Sequence, residues 1–172
     1  MAENSVNLTK DNIVTTATGA LGEPNLNKVT LQRDVQVDIV LKEEEGKRAR
    51  EKNRILITSD GPLEIDYAKS IATFQNNVKV ETQDNIIYSD IMQLYFTSSG
   101  ATKPSETNNP LGGMDSKITK IVALGNVKIV KGENLSYCDK AVYTAADNKI
   151  ILTGTPKFII YSTEGLNASF GN

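Results

Sequence analysis

Apolar and polar residues alternate along most of this chain with a period of two. Around Phe74, Val78 and Val80 the apolar side chains fall on one face, whereas Gln75 and Lys79 fall on the other. This alternation predicts strands that have one apolar face and one solvated face. Seven runs share the pattern and are rich in the residues that favour strands: 29–40, 55–67, 71–81, 86–96, 118–130, 135–144 and 150–161. The chain is therefore predicted to be all-β.

A short phrase recurs along these runs. It reads Asp-Val-Gln-Val at 34–37, Asn-Val-Lys-Val at 77–80, Asn-Val-Lys-Ile at 126–129 and, more loosely, Thr-Pro-Lys-Phe at 155–158. Its second residues are 43, 49 and 29 positions apart, and removing the polar inserts 41–54 and 98–116 shortens the first two steps to 29 and 30. A constant period near 30 is typical of repeated units that bury their apolar faces by stacking.

A second phrase lies between the copies of the first and ends in aspartate each time. It reads Ile-Thr-Ser-Asp at 57–60, Ile-Tyr-Ser-Asp at 87–90 and Ser-Tyr-Cys-Asp at 136–139. Each unit therefore carries two strands. A structural position is copied with every repeat, whereas a catalytic residue usually is not, so we interpret the aspartates as residues that close turns or bond backbone between strands. Cys138 replaces the serines of the other copies, which predicts a small and partly buried position.

Three segments fall outside the strand pattern. Insert 41–54 is dense in Glu, Lys and Arg and predicts a solvated loop or short helix. Insert 98–116 combines Gly and Pro with Ser, Thr and Asn, which predicts a mobile loop. Residues 1–27 predict an irregular or edge segment with one short strand near 13–18. Residues 28–172 then form a single domain.

Composition excludes several classes of protein. The chain has 172 residues, 39% of them apolar, so one domain can bury a substantial core. A net charge of −2 gives no basic stripe for nucleic acid. No apolar run approaches the ~20 residues that span a bilayer, and the first residues lack the features of a signal peptide. The protein is thus either cytoplasmic or a chain from which an export signal or anchor has been removed. One cysteine permits no internal disulfide.

Candidate catalytic chemistry is sparse. The chain has no histidine, which excludes Ser-His-Asp and Cys-His triads and removes the commonest general base and zinc ligand. The run Glu43 to Glu45 lacks the spacing of a calcium loop. No Gly-rich loop ends in Lys followed by Ser or Thr, as a phosphate cradle requires. We therefore predict a protein that is not an enzyme and that uses no metal or cofactor.

Parts of both phrases resemble the OstA-like repeats of periplasmic lipopolysaccharide-transport proteins, the LptA/LptC type. Asn-Val-Lys-Val at 77–80 precedes Ile-Tyr-Ser-Asp-Ile-Met at 87–92, and Gly-Asn-Val-Lys-Ile at 125–129 precedes Tyr-Cys-Asp-Lys-Ala at 137–141. Ile-Leu-Thr-Gly-Thr-Pro-Lys at 151–157 is similar to the closing repeat of that family. The resemblance covers about residues 28–165 and rests on the ordered recurrence of these phrases. The long segment before the first repeat favours the LptC type slightly.

This resemblance implies a fold and a function. The fold is an antiparallel two-sheet β-jellyroll, or β-taco, made of repeated hairpins and open at both ends. The function is that of a periplasmic, non-enzymatic carrier or bridge that holds the acyl chains of lipopolysaccharide in an apolar trough and passes the lipid towards the outer membrane. The alternation assigns these residues to the trough lining: Val35, Val37, Ile39, Phe74, Val78, Val80, Tyr88, Met92, Leu94, Phe96, Ile121, Val127, Ile129, Ala141, Tyr143, Phe158 and Ile160. A dry core made of the same residues remains the alternative.

The strands at the two ends of the stack are predicted to bind other chains. Unpaired edge strands offer backbone donors and acceptors to another chain. By the resemblance, like-folded transport components join head to tail through these strands, and self-complementary ends would also allow self-association. The competing hypothesis is a structural β-solenoid scaffold that polymerises through its end strands. We predict that Lys79, Lys128 and Lys157 lie on the outer surface and are solvated. The functional alternative is that they bind acidic head groups.

Overall fold

The computed structural model describes residues 4–10, 13–40, 54–97, 118–144, 146 and 149–160. Residues 41–53 and 98–116, which carry the two inserts except Arg54, lie outside this part, so the predictions for them stay predictions. No helix in the described ranges is long and apolar enough to cross a membrane. The strands are β1 (Ser5–Lys10), β2 (Ile13–Glu23), β3 (Lys28–Val40), β4 (Arg54–Ser59), β5 (Leu63–Asp66), β6 (Ile71–Glu81), β7 (Asn85–Phe96), β8 (Ile118–Lys131), β9 (Asn134–Thr144), β10 (Lys149–Thr153) and β11 (Lys157–Ile159).

The strands form one antiparallel meander in chain order. At each of two positions in this order, two short strands take the place of one long strand. β4 pairs with the second half of β3 and β5 pairs with its first half, while β10 and β11 pair with opposite halves of β9. The predicted runs 55–67 and 150–161 are thus each interrupted in the middle. The interruptions mark the line along which the whole sheet bends.

The bend is visible in the backbone of the long strands. Positive φ angles occur near mid-strand at Asp34 (51°), Asn76 (63°), Asn77 (51°), Gly125 (75°) and Asn126 (46°). Such angles are unusual for residues other than glycine, and Asn and Asp tolerate them best. One face of the sheet is buried although no helix covers it in the described ranges. The two halves of the sheet therefore cover each other, and the predicted all-β, two-sheet β-jellyroll is confirmed.

The recurring phrases meet at this bend. The Asn77 side-chain amide donates a hydrogen bond to the Asp60 carboxylate at 2.5 Å, and Asn126 donates in the same way to Asp90 at 2.8 Å. A Cβ atom on Gly125 would lie 2.5 Å from a carboxylate oxygen of Asp90. The two phrases therefore form the two sides of a corner, in which Asn or Gly takes the turn and the Asp of the preceding phrase accepts a hydrogen bond from the Asn. The structural interpretation of the repeated aspartates is confirmed at these corners.

The amino-terminal segment is more regular than the sequence predicts. β2 extends over 11 residues, buries Ile13, Thr15 and Ala17, and pairs along both sides. β1, which was not predicted, is the edge strand of the sheet. Threonines and glycines in this stretch weaken the apolar alternation, because Thr fits either face of a strand.

Candidate functional site

The inner face of the bent sheet consists of rows that cross the strands. We name the half that contains β1, β4 and β11 wall A, and the half that contains β5 and β10 wall B. Two rows lie next to the bend. The row of wall A is Val35, Ser59, Val78, Ser89, Val127 and Cys138. The row of wall B is Leu31, Leu63, Phe74, Met92, Ala123, Ala141 and Leu152.

The interior between β3 and β7, which we name the closed section, is densely filled. Leu31, Leu63 and Phe74 are 0% exposed and Met92 is 1% exposed. Burial extends to the next rows towards the rim, which hold Ile65, Ala72 and Leu94 in wall B and Val37, Ile57 and Val80 in wall A. Water is excluded here by side chains of both walls.

The interior between β8 and β11, which we name the open section, differs in the same rows. Next to the bend, Ala123 and Ala141 occupy the positions that leucine, phenylalanine and methionine fill in the closed section. One row further out, Ile121, Ile129 and Tyr143 are only partly buried. At the end strands, Ile150 in the row of Tyr143 is 59% exposed and Phe158 in the row of Ile129 is 60% exposed. Apolar inner surface therefore meets solvent at this end of the sheet.

The predicted lining residues fall into three groups. Ile121, Ile129 and Tyr143 are partly buried, and Phe158 and Ile160 are exposed at the carboxyl-terminal end. The buried group is Val35, Val37, Ile39, Phe74, Val78, Val80, Met92, Leu94, Phe96, Val127 and Ala141. Their contact with lipid stays a prediction.

Tyr88 is the exception, because it lies on the outer face. The period-two pattern grouped it with Met92, but a bulge between Tyr88 and Ile91 shifts the register of β7 against β8. As a result Ser89 and Met92 are the buried residues on either side of the bend. Because Ser89 and Met92 are three positions apart, the inward face of β7 passes from odd to even residue numbers at the bend. The inward assignment of Tyr88 is wrong for this reason.

Sequence reasoning also missed several inner residues. Leu31, Leu63 and Ile65 are 0% exposed, and Ala123 is 3% exposed. The first three follow the same alternation as the predicted residues, so the signal was present in the sequence. Ala123 carries almost no such signal because alanine occurs on either face of a strand.

Buried polar groups accompany the apolar rows. The hydroxyl oxygens of Thr15, Ser59 and Ser89 are buried on the inner side without a hydrogen-bond partner in the described part of the chain. Cys138 is 6% exposed, which confirms the predicted small position, and burial raises the pKa of its thiol. Next to the bend, wall A is therefore built of small side chains, whereas wall B of the closed section carries large buried ones.

The outer face carries a ladder in which lysine and tyrosine alternate across five strands. Its members are cross-strand neighbours in the order Lys79, Tyr88, Lys128, Tyr137 and Lys157. The Lys128 ammonium lies 5.6 Å from the centre of the Tyr88 ring, and Lys79 pairs with Glu81 at 2.9 Å. The three lysines thus lie on the outer surface, as predicted.

Both ends of the sheet have strands with one partner among the described residues. β1 pairs with β2 only, and β10 and β11 each pair with β9 only. Their outer edges present backbone donors and acceptors that another strand can bond.

Comparisons with known proteins show which family has this architecture. A family model described as "LptA/(LptD N-terminal domain) LPS transport protein" matches residues 56–171. The fold is similar to that of LptH from Pseudomonas aeruginosa, described as the LptA homologous periplasmic component of the lipopolysaccharide transport device. The TM-score is 0.56 at 12% sequence identity, over 87% of this chain and 95% of that chain, which shows likeness of fold alone. No curated protein sequence matches the chain significantly. Because the family model covers more than half of the chain, this protein belongs to the family of LptA and LptD amino-terminal-domain lipopolysaccharide transport proteins.

Proposed function

We propose that this protein is a non-enzymatic periplasmic carrier or bridge that binds the acyl chains of lipopolysaccharide between its two walls and passes the lipid towards the outer membrane. One observation carries the proposal. The inner rows are mainly apolar from β3 to β11, with serines at Ser59, Ser89 and Ser136, and they end in apolar residues that are more than half exposed, Ile150 and Phe158. Soluble proteins rarely leave apolar surface of this kind uncovered unless it binds something.

Acyl chains fit this surface on energetic grounds. Each methylene group that leaves water for an apolar environment contributes about 0.8 kcal/mol. A chain that inserts only part of its length therefore binds without any specific polar contact. Transport also requires release, and a site that relies on apolar contact alone lets a lipid slide from one row to the next without breaking hydrogen bonds.

The geometry of the walls supports transport more than catalysis. The repeated aspartates bond asparagines at the bend and lie away from the inner rows. The family description names a transport protein. The scaffold alternative predicted regular solenoid rungs, whereas the strands form a bent antiparallel meander.

We further propose that like-folded chains join head to tail, with β1 of one chain beside β11 of the next in wall A and the second half of β2 beside β10 in wall B. The contact would continue both walls from one chain into the next and so extend the apolar surface. The preference for an LptC-type component stays a prediction.

Photo-crosslinking tests the lipid proposal. A photoreactive residue at Val127 faces the interior, where Val127 is 1% exposed, and the neighbouring position Lys128 faces outward on the same strand. We expect adducts with lipopolysaccharide at position 127 and none at position 128. The pair Phe74 and Gln75 repeats the measurement in the closed section. A folded protein without adducts at either inner position would mean that the interior is a dry core.

Cysteine cross-linking tests the head-to-tail contact. In a Cys138→Ser background, Leu8→Cys on β1 and Phe158→Cys on β11 place one thiol on the inner face of wall A at each end of the sheet. We expect oxidation to produce disulfide-linked oligomers at protein concentrations where chains associate. A pair that includes Gln36→Cys, from the middle of the sheet, is the control and should remain monomeric. Equal yields from both pairs would indicate random collision.

A further inference from the structure

We infer, on the basis of the proposed function, that the acyl chains bind first in the open section and that the closed section ends their compartment. Its floor next to the bend consists of Ala123 and Ala141 in wall B and Val127 and Cys138 in wall A, which are 1–7% exposed, and its accessible lining is Ile121, Ile129 and Tyr143. Phe74 and Met92 form its inner end. The inference assigns the lipid site to one half of the interior, whereas the inner rows alone would allow lipid along the whole stack.

The first support is the size of the side chains in the row of wall B next to the bend. Leu63, Phe74 and Met92 follow one another across neighbouring strands and are at most 1% exposed. Directly beside Met92 the row continues with Ala123 and then Ala141. Two adjacent alanines remove several carbon atoms from a row that is otherwise filled by large side chains.

The opposite wall does not compensate for this loss. On the same two strands, β8 and β9, wall A contributes Val127 and Cys138 as direct cross-strand neighbours. Wall A is equally small in the closed section, at Ser59 and Ser89, so it does not offset the loss of volume in wall B. The alanines, Val127 and Cys138 are themselves 1–7% exposed, so the accessible apolar surface of the open section lies one row further from the bend.

Exposure changes at the same strands. In the second row of wall B, Ala72 and Leu94 are 0% and 3% exposed, whereas Ile150 at the end of that row is 59% exposed. Between them, Ile121 and Tyr143 are partly buried. The accessible apolar surface therefore begins beside Leu94 and widens towards the end strands, which gives a chain of carbon atoms a route into the compartment.

The rim of the same section is polar. Lys131 and Asn134 are cross-strand neighbours at the outer end of wall A and are both exposed. Lys131 has the same inward parity as Val127 and Ile129 on β8. An apolar floor with a polar rim suits an amphiphile, whose chain enters the compartment while its head group stays in water.

The absence of tryptophan from the sequence makes a direct test available. Each variant carries one tryptophan that replaces an aromatic residue. Tyr143→Trp reports on the open section, Phe74→Trp on the closed section, and Tyr88→Trp on the outer face. Tyr67→Trp is a second reporter for the closed section, because Tyr67 packs against the core and is less crowded than Phe74. Far-ultraviolet circular dichroism checks the fold of each variant.

The probe is dibromostearate, added below its micelle concentration, since bromine atoms quench tryptophan emission only on near contact. We expect Tyr143→Trp to lose at least half of its emission at saturation, while the closed-section and outer-face variants lose little. Unbrominated stearate should compete with the quenching.

The possible results separate the inference from the proposed function. Equal quenching of Tyr143→Trp and of a closed-section variant would overturn the inference, because the chain would then extend along the whole interior, and the lipid proposal would stand. Quenching in the closed section alone would overturn it as well. If no inner variant were quenched, neither dibromostearate binding nor the compartment would survive. If Tyr88→Trp were quenched as strongly as Tyr143→Trp, binding would be to the surface, which also overturns the inference.

Discussion

The closed and open sections are built on the same backbone and the same repeated phrases, yet their interiors differ. In the closed section Leu31, Leu63 and Phe74 are 0% exposed. In the open section Ala123 and Ala141 take the corresponding positions, and Phe158 at the end is 60% exposed. The difference shows that the period-two pattern specifies only which face points inward. The volumes of the inward side chains decide whether the two walls fill the space between them.

The largest expected effect compares one substitution in both sections. Leu63→Ala leaves a cavity in a fully packed row and should lower the free energy of unfolding by about 2–5 kcal/mol. Leu152→Ala, at the open end of the same row, removes a side chain that is only partly buried. Its cost should be about 1 kcal/mol or less, because the lost transfer free energy is smaller and solvent already reaches the site. Urea unfolding of both variants measures the difference. Equal losses would show that the open section is packed as tightly as the closed section.

The second prediction concerns the bend that both sections share. Gly125 has a φ of 75° and lies against Asp90, and Gly61 has a φ of 99° and lies against the backbone of Gln32 and Arg33. Substitution of either glycine by alanine should cost about 1–3 kcal/mol, because a Cβ atom disfavours positive φ angles and would also collide with these neighbours. We expect Gly61→Ala to be the more costly, since the backbone moves less easily than the Asp90 side chain.

Gly22→Ala is the matched control for these corner variants. Apart from its two chain neighbours, no atom of the described residues lies within 4 Å of the position that its Cβ would take, and its φ is outside the positive range. It should change stability by no more than about 0.5 kcal/mol. A loss at Gly22 as large as that at Gly125 would mean that alanine disturbs these strands for a reason unrelated to the bend.

The third prediction uses Tyr67, which packs against the core in the closed section. Burial raises the pKa of its hydroxyl from 10.0 to about 12. The neutral form is thus favoured in the folded state, so this contribution to stability is complete below the unfolded pKa of 10.0 and is lost as the pH rises to about 12. Tyr67→Phe should weaken the loss of stability across this range without lowering stability at neutral pH, because the hydroxyl has no hydrogen-bond partner among the described residues. An unchanged pH profile would argue against the shift.

The smallest effect is expected on the outer face. Lys128 lies over the ring of Tyr88 at 5.6 Å. In a double-mutant cycle with Lys128→Met and Tyr88→Leu, we expect a coupling of about 0.5–1 kcal/mol, which is usual for an exposed cation–π pair. High salt should reduce it. A coupling of zero would leave the ladder with no measurable role in stability.

How far the sequence predicts this molecule differs from feature to feature. The long strands, the repeated hairpins and the structural role of Asp60 and Asp90 follow from alternation and recurrence, since both depend on neighbouring residues in the chain. The inward residues follow as well, except where a corner changes the parity. Tyr88 was misplaced because the step of three residues between the inward Ser89 and Met92 has no signal in the alternation itself. Much of β2 was missed because its threonines fit either face, whereas β1 was missed although Val6 and Leu8 alternate with polar residues.

The candidate site shows the same limit more clearly. Phe74 and Val127 were both predicted to line a trough, and both point inward, yet they lie in sections of different packing. Only cross-strand registration sets Met92 beside Ala123, and then Ala123 beside Ala141.

The sequence by itself thus determined the strands, their apolar face and the corner residues, because these depend on local backbone preference and on alternation along one strand. The tertiary structure alone decided which side chains share a row and how far each row is filled. How far the space between the two walls is filled depends on residues that are tens of positions apart in the chain. The pattern within a single strand therefore cannot predict it.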